Sequence, residues 1–133
     1  MRNSILQFKD YTVNILKFEQ HDWEGDEDSA EIKQSLSRAL RQGENGAFDA
    51  LLNFKTCPKE NGKNPFDIEV QITGHFRIVS EDGAEADADT VSCMMNQNSY
   101  AILFPYLRAI ITSLTATANI PPIVLPVINL TGE

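Results

Sequence analysis

The sequence predicts a single domain of the α+β class, in which a four-stranded antiparallel sheet carries a long C-terminal helix packed on one face. Apolar and polar side chains alternate in several segments of the first two-thirds of the chain, as in strands with one buried face. Apolar residues of the last third recur at helical spacing. Because 133 residues are about enough for one domain, we expect residues 1–133 to fold as a unit.

The first predicted strand changes its inward face part of the way along. Tyr11, Val13 and Ile15 alternate with polar residues, and Leu16 and Phe18 then continue on the other parity. One extra residue near Ile15–Leu16 would reset the face, as a β-bulge does. We therefore expect a strand with a bulge at this point.

Three further strands are predicted downstream. Residues 32–40 suit a half-buried strand or a short helix, and we favour the strand. Residues Phe48 to Phe54 alternate, and from Phe66 to Ile78 the apolar side chains take the even positions. The loop from Pro58 to Pro65 contains an Asn-Gly pair and predicts an antiparallel hairpin between these two strands. Gly74 replaces an inward side chain, which indicates a bulge, a bend or a close approach.

The helix is predicted from about Pro105 to Ala118, since proline is tolerated in a first turn and Asn119 can end a helix. One face is apolar, and the other is small, polar and uncharged. The apolar stripe consists of Leu103, Leu107, Ile110, Ile111, Leu114 and Ala118, and the second face of Thr112, Ser113, Thr115 and Thr117.

The absence of charge from this helix predicts a subunit interface. Of the 19 acidic and 11 basic side chains, only Glu133 and Arg108 lie outside residues 1–89. A helix on the surface of a monomer normally carries charge on its outer face, so we expect another subunit to cover it. The alternative is a half-buried helix in a monomer. The predicted interface residues are Leu103, Leu107, Ile111, Thr112 and Thr115.

The charge balance excludes some classes of partner. A net charge of −8 repels phosphate backbones, so nucleic acid is not an expected partner. The runs Glu19 to Glu31 and Glu81 to Asp89 contain acids and neither Lys nor Arg. They fit solvated loops, or acidic surfaces that attract a basic partner. Neither run has the spacing of a calcium-binding loop.

The composition also predicts the compartment. Four prolines, at positions 105, 121, 122 and 126, interrupt the uncharged C-terminal third, which has no basic flank, so membrane insertion is not expected. The two cysteines are too few for a disulfide scaffold, and no leader with a charged and then an apolar part opens the chain. We therefore expect a cytoplasmic protein with reduced thiols.

Side chains that support catalysis or metal binding are scarce. His21 lies in an acidic run and His75 on the polar face of a strand, and neither has a cysteine or serine partner at a recognisable spacing. No phosphate-binding loop, paired-cysteine motif or nucleophile elbow is present. Cys57 and Cys93 fit structural roles. The sequence therefore predicts no enzyme, no metal site and no cofactor.

Seven short segments, taken in order, resemble those of one known family. They are Y-T-V-N-I at 11–15, Phe18-Glu19, Asp22-Trp23, E-V-Q-I-T-G-H-F-R-I at 69–78, I-L-F-P-Y-L-R at 102–108, Asn119 to Pro122, and P-V-I-N-L at 126–130. Their order and spacing are similar to those of SecB, the bacterial export chaperone that holds precursor proteins unfolded and passes them to the translocation ATPase SecA.

This resemblance implies a SecB-like domain that is shortened at its C-terminus and assembles into a homotetramer, as a dimer of dimers. It implies a holdase that binds unfolded precursor proteins in apolar grooves and keeps them competent for the Sec export pathway. Aromatic and aliphatic side chains are the candidates for lining such a groove. The candidate client-binding residues are Phe18, Trp23, Tyr100, Ile123, Val124 and Leu125.

The resemblance also implies where SecA would dock. Carried over residue by residue, the docking positions are Asn14, Glu19, Asp67 and Glu69. The family has Asp at the position of Asn14 and Leu at that of Asp67, so a chaperone dedicated to an antitoxin or another single client stays an alternative. A non-chaperone interaction protein or small-ligand-binding protein on the same scaffold is a further alternative.

Overall fold

The computed structural model describes residues 4–21, 33–57, 66–80 and 88–119. They form the strands β1 (Ser4–Gln20), β2 (Gln34–Gln42), β3 (Ala47–Thr56) and β4 (Phe66–Ser80), and the helices α1 (Ala88–Cys93) and α2 (Ser99–Thr117). A π-helical segment, Met94–Asn98, joins the two helices. The strands form one antiparallel sheet in the order β1-β4-β3-β2. The predicted fold class is confirmed, and the ambiguous segment at 32–40 contributes a strand, as favoured.

The centre of the sheet is formed by β3 and β4, whose apolar side chains alternate as predicted. Their inward side chains pack against α2, and the polar side chains between them face solvent. Four of the inward residues, Ala50, Leu52, Val70 and Ile72, are 0% exposed. The core is completed from the helix by Tyr100, Leu103, Phe104, Leu107 and Ile111. This pairing of one apolar sheet face with one apolar helix stripe holds the domain together.

The helix begins earlier than predicted. α2 starts at Ser99 and helical structure extends back to Ala88, so Pro105 lies inside the helix and not in its first turn. Pro105 has no N–H to donate to the carbonyl of Ala101. Both residues are exposed, so this carbonyl can accept a hydrogen bond from water instead. The C-terminal end agrees with the prediction. Asn119 adopts a left-handed conformation with a φ of 61°, and its N–H donates to the carbonyl of Ala116.

The bulge predicted in β1 is present, slightly upstream of its expected place. The register with β4 shifts between Val13 and Ile15, so Asn14 is the extra residue. Leu16 therefore returns to the side of the sheet that faces α2. Ile15, which was expected to point inward with Val13, pairs with Gln71 on the solvent side. A second register shift, between Phe8 and Asp10, was not predicted.

Gly74 marks a close approach, which was one of the three expectations for it. A Cβ atom at this position would lie 2.6 Å from Cε2 of Phe76 and 2.9 Å from Cδ1 of Leu103. The missing side chain therefore lets α2 approach β4 at this level of the sheet.

The turn between β2 and β3 was not recognised from the sequence. Asn45 and Gly46 both have positive φ, 58° and 80°. A Cβ atom at Gly46 would collide with the carbonyl oxygen of Ile78. The N–H of Ile78 donates a hydrogen bond to the carbonyl of Gly46. An Asn-Gly pair between two strands is a strong hairpin signal, so Asn45-Gly46 could have predicted this turn. The other predicted hairpin loop, at 58–65, lies outside the described residues.

Candidate functional site

A cleft of about 360 Å³ opens between β1 and the flank of α2 that faces it. Its walls are apolar or weakly polar, and none of the lining residues is charged. They are Tyr11, Leu16, Tyr106, Ala109, Ile110, Ser113, Leu114 and Thr117. The cleft can accept apolar side chains of another polypeptide without imposing a specific polar pattern.

The cleft exists because α2 covers β1 only in part. Val13 and Leu16 pair with Ile72 and Val70, so they lie on the side of the sheet that faces the helix. Yet Val13 is 43% exposed and Leu16 is 58% exposed, whereas both of their partners on β4 are fully buried. The edge strand therefore offers apolar side chains that the domain itself leaves open.

Aromatic contacts fix one wall of the cleft. The ring of Tyr106, which is 40% exposed, lies 5.0 Å from the ring of Tyr11 and 5.5 Å from that of Phe8. Phe8 in turn contacts Phe76 in the core at 5.2 Å. Tyr106 is thus held by packed aromatic neighbours while part of its ring faces the opening, which gives the cleft a preorganised apolar surface.

A second uncharged surface lies on the outer side of α2. Its residues are small and exposed: Ala101, Pro105, Ala109, Thr112 and Ala116. Arg108 is the one charged residue of α2, and its guanidinium carbon lies 5.4 Å from the centre of the Phe104 ring. Small side chains on a helix allow another backbone to approach closely, which suits this face to contact with a second chain.

The predicted interface residues divide between the two sides of α2. Leu103, Leu107, Ile111 and Thr115 are 0% exposed because they pack on the chain's own sheet. The hydroxyl of Thr115 donates to the backbone of its own helix. Assigning these four residues to a subunit interface is therefore corrected, since no second chain can touch them in this fold. Thr112 is exposed on the outer face.

Tyr100 belongs to the core and not to a client groove, which corrects its assignment. It is 1% exposed, and its hydroxyl donates to the carbonyl of Ala39 at 2.7 Å. The guanidinium of Arg38 lies 5.0 Å from its ring centre. Burial raises the pKa of the Tyr100 phenol above its ordinary value of 10.0, and the charge of Arg38 lowers it to a smaller extent.

Of the other candidate client-binding residues, only Phe18 lies among the described residues. Phe18 is half-buried and stacks on Phe66 with ring centres 5.9 Å apart. Trp23, Ile123, Val124 and Leu125 lie outside the described residues. The sequence did not single out Leu16 and Tyr106 as groove residues. For Leu16 the available signal was the parity change of β1, which brings it to the helix side.

The predicted docking residues lie on the opposite, solvent side of the sheet. Glu19 pairs with Asp67 across β1 and β4, and Glu69 lies in the next row, between Lys17 and Lys55. These three carboxylates form one group, which we call the carboxylate cluster. The amide of Asn53 donates to Glu69 at 3.1 Å.

Asn14 is not part of the carboxylate cluster. Its side-chain oxygen accepts a hydrogen bond from the Thr73 hydroxyl at 2.6 Å. Thr73 is about 13 Å along β4 from Glu69, at roughly 3.3 Å per residue. The four predicted docking residues therefore share one face of the sheet, but only three of them are neighbours.

Both histidines have partners on this same face. His75 Nδ1 lies 2.9 Å from Asp49 Oδ1, and His75 Nε2 lies 2.8 Å from the Thr12 hydroxyl. These partners come from the two flanking strands, Thr12 from β1 and Asp49 from β3, so no spacing along the chain could indicate them. The arrangement lies on the solvent side of the sheet, away from the cleft. Among the described residues, no group of three His, Cys, Asp or Glu side chains could hold a metal ion.

Within the described part of the chain, neither helix has the length and apolar character needed to cross a membrane.

The family model described as preprotein translocase subunit SecB matches residues 8–132. Among curated proteins, the uncharacterized protein MJ0357 of Methanocaldococcus jannaschii is 31% identical over 130 residues, which cover 96% of this chain and 81% of that protein. Protein-export protein SecB of Cellvibrio japonicus is 31% identical over 98 residues, covering 74% of this chain and 56% of that protein. The chain thus spans little more than half the length of that SecB.

Two solved structures are also similar. One is the Rv1957 SecB-like chaperone of Mycobacterium tuberculosis in complex with a ChAD peptide from the HigA1 antitoxin, with a TM-score of 0.71 and 14% identity, covering 92% of this chain and 90% of that one. The other is a protein of unknown function from Streptococcus agalactiae, with a TM-score of 0.57 and 17% identity, covering 93% of this chain and 98% of that one. At these identities the likeness concerns the fold.

Proposed function

This chain belongs to the SecB family of chaperones, and we propose that it is a holdase that binds unfolded polypeptides along the cleft between β1 and α2. In this proposal it acts in the cytoplasm and keeps precursor proteins competent for the Sec export pathway. Phe18, Trp23 and the 123–125 segment contribute further apolar contacts to the client. No catalysis, metal or cofactor is needed for such a role.

The observation that carries the proposal is the exposed apolar lining of the cleft in a strongly acidic chain. Burying a side chain of the size of leucine contributes about 1.5–3 kcal/mol, without requiring a particular partner sequence. β1 is an edge strand, so an extended client segment can also pair with its backbone, which again depends little on sequence. Weak selectivity of this kind is what a holdase needs. The net charge of −8 keeps the apolar surface soluble.

Client binding is tested by comparing two exposed apolar residues of β1. Leu16 is 58% exposed in the cleft, and Ile5 is 49% exposed on the solvent side of the sheet. Leu16→Asp should weaken binding of an unfolded client at least about tenfold, because it places a charge where an apolar side chain binds. Ile5→Asp should leave that affinity unchanged. Titration of a labelled unfolded protein and suppression of its aggregation at near-stoichiometric amounts provide the measurement.

Three outcomes separate the alternatives. If neither variant affects client binding, the cleft is not the client site. If Leu16→Asp leaves client binding intact and instead changes the mass of the particle, the cleft belongs to a subunit contact. If the wild-type chain does not suppress aggregation at all, a non-chaperone binding protein on this scaffold is the better interpretation.

We also propose that the solvent side of the sheet docks SecA, through the carboxylate cluster and with Asn14 at its periphery. Glu69→Lys should abolish docking of a SecA C-terminal peptide without affecting client binding. The matched control is Glu44→Lys, which makes the same charge change in the turn between β2 and β3. Docking should weaken between 0.1 M and 1 M salt, where the Debye length falls from about 10 Å to about 3 Å, whereas client binding should persist.

A chaperone dedicated to one client is the second candidate. The similar Mycobacterium structure holds a peptide of an antitoxin, which supports this possibility for a chain of the same fold. A dedicated chaperone should bind one protein encoded nearby far more tightly than unrelated unfolded proteins. Equal affinities for the protein encoded nearby and for three unrelated unfolded clients would contradict it and favour general export.

A further inference from the structure

His21 lies between two carboxylates of the carboxylate cluster. Its Nε2 is 2.7 Å from Asp67 Oδ2, and its Nδ1 is 3.8 Å from Glu19 Oε1. The imidazole is the most enclosed of the three side chains, at 17% exposed against 59% for Glu19 and 46% for Asp67. The sequence placed His21 in a solvated acidic run and gave it no role.

Two like charges oppose each other at this point. Glu19 and Asp67 are direct partners across β1 and β4, an arrangement that is destabilising when nothing lies between them. The nearest cations in the register, Lys17 and Lys55, pair with Glu69 in the next row. The Thr56 hydroxyl donates to Asp67 at 3.4 Å. Among the described residues, His21 is a titratable side chain that lies within 3.8 Å of both acids.

The two protonation states of His21 present different surfaces. A neutral imidazole has one N–H, which Asp67 at 2.7 Å accepts, and Glu19 then keeps its full charge toward solvent. A protonated imidazole has two N–H donors and a positive charge, so it offsets both carboxylates. Protonation of one side chain thus removes much of the charge that would attract a basic partner.

We propose that protonation of His21 controls docking of a basic partner at the carboxylate cluster, with docking favoured when His21 is neutral and opposed when it is charged. This inference rests on the proposed docking function. A bound cation and a proton on His21 repel each other, so docking is linked to loss of the proton and the affinity falls as the pH falls.

His75 provides a matched control on the same face. It also pairs with a carboxylate, Asp49, and its cross-strand partner on β1 is Asp10. It lies eight residues from Asp67 on β4, roughly 27 Å along the strand. Removing its charge should therefore leave the carboxylate cluster unaffected. Glutamine is a suitable replacement for both histidines because it keeps a hydrogen-bond donor and carries no charge.

The experiment measures the affinity of a decalysine peptide for the full chain at pH 8 and at pH 5.5. With its α-amino group acetylated, the peptide keeps the same charge across this interval, and free Asp and Glu stay mostly ionised, so the change in affinity reports mainly on the histidines. We expect the wild type and His75→Gln to lose about tenfold in affinity, and His21→Gln to lose less than about twofold. Thermal unfolding of each variant at both pH values confirms that it is folded.

The outcomes distinguish this inference from the docking proposal beneath it. If Glu69→Lys does not weaken decalysine binding at pH 8 relative to Glu44→Lys, docking at the cluster is wrong and the inference is overturned with it. If docking is present but His21→Gln keeps the full tenfold loss, docking stands and control by His21 is overturned. A loss that disappears in His75→Gln would overturn the choice of histidine.

Discussion

The helix side of the sheet has two parts with similar apolar residues, of which α2 covers one and leaves the other partly exposed. Under α2, the inward side chains of β3 and β4 are buried, and Leu52 and Ile72 are 0% exposed. On β1, Val13 and Leu16 occupy the same side of the same sheet at 43% and 58% exposure. Residue type alone therefore does not decide whether a side chain contributes to stability or to binding. The position of the helix decides it.

The two edges of the sheet show the same contrast. At the β2 edge, Tyr100 donates to the Ala39 carbonyl and Arg38 donates to the Asn96 carbonyl, so side chains tie the edge to the helical layer. At the β1 edge, two bulges twist the strand and α2 leaves a cleft. We interpret the first edge as closed for stability and the second as open for a client.

The largest effect is expected from a charge on the inner side of α2. Thr115 is 0% exposed and Thr112 is exposed on the outer side, three residues away. Thr115→Glu should destabilise the fold by about 3–5 kcal/mol, because it buries a charge without a partner. Thr112→Glu should leave the monomer folded and should separate the homotetramer that the family resemblance implies, since it places the same charge on the outer face of α2. Urea denaturation and light scattering measure the two effects.

Comparing Thr112→Glu with Thr115→Glu is informative because both variants replace the same residue type by the same charged residue. An unchanged particle mass for Thr112→Glu, starting from a demonstrated oligomer, would remove the outer face of α2 from the interface. Equal stability losses for both variants would mean that the outer face is as buried as the inner one.

A smaller effect is expected from two leucines that differ in cover. Leu107 is 0% exposed on the inner side of α2, and Leu16 is 58% exposed in the cleft. Leu107→Ala should lower the free energy of unfolding by about 2–5 kcal/mol, through lost burial and the cavity that remains. Leu16→Ala should lower it by roughly 0.5 kcal/mol or less, as surface substitutions do, while weakening client binding. Equal losses of unfolding free energy for Leu107→Ala and Leu16→Ala, measured by urea denaturation, would contradict the conclusion that only Leu107 is covered by the rest of the domain.

The next effect tests how closely the helix approaches the covered part of the sheet. Gly74→Ala should cost about 1–3 kcal/mol, because the new methyl group would lie 2.9 Å from Leu103 and push α2 away from β4. Gly43→Ala is the control, since its nearest neighbour would be 3.4 Å away. Thermal unfolding of both variants gives the comparison. Similar melting temperatures would show that α2 can shift without loss.

Much of the covered part could be predicted from the sequence. The alternation in β3 and β4 has a period of two, and each buried side chain fits it, so local pattern and tertiary packing agree. The left-handed residue at the end of α2 follows from Asn119 in the same way. Gly74 was informative because the absence of a side chain in a core position requires something else to fill the space.

The open part was harder to predict, because its features depend on register. The place of the bulge decides whether Ile15 faces the helix with Val13 or lies on the solvent side, and the sequence permits either. The interface assignment of Thr115 failed because a threonine can turn its hydroxyl to its own helix backbone and enter the core. The contacts of His21 and His75 join residues from different strands, so no spacing along the chain could indicate them.

The smallest effect concerns the closed β2 edge and has a distinct pH signature. Tyr100→Phe removes the hydrogen bond to the Ala39 carbonyl and should cost about 1 kcal/mol at neutral pH. Burial raises the pKa of the Tyr100 phenol in the folded state above 10.0, so the neutral phenol contributes stability that is complete below pH 10. That contribution is lost as the pH rises through the pKa of the folded state, because the unfolded chain releases the proton first. Wild type should therefore lose stability above pH 10 more steeply than Tyr100→Phe, as measured by urea denaturation across that range. Parallel slopes for the two proteins would mean that Tyr100 does not close the edge.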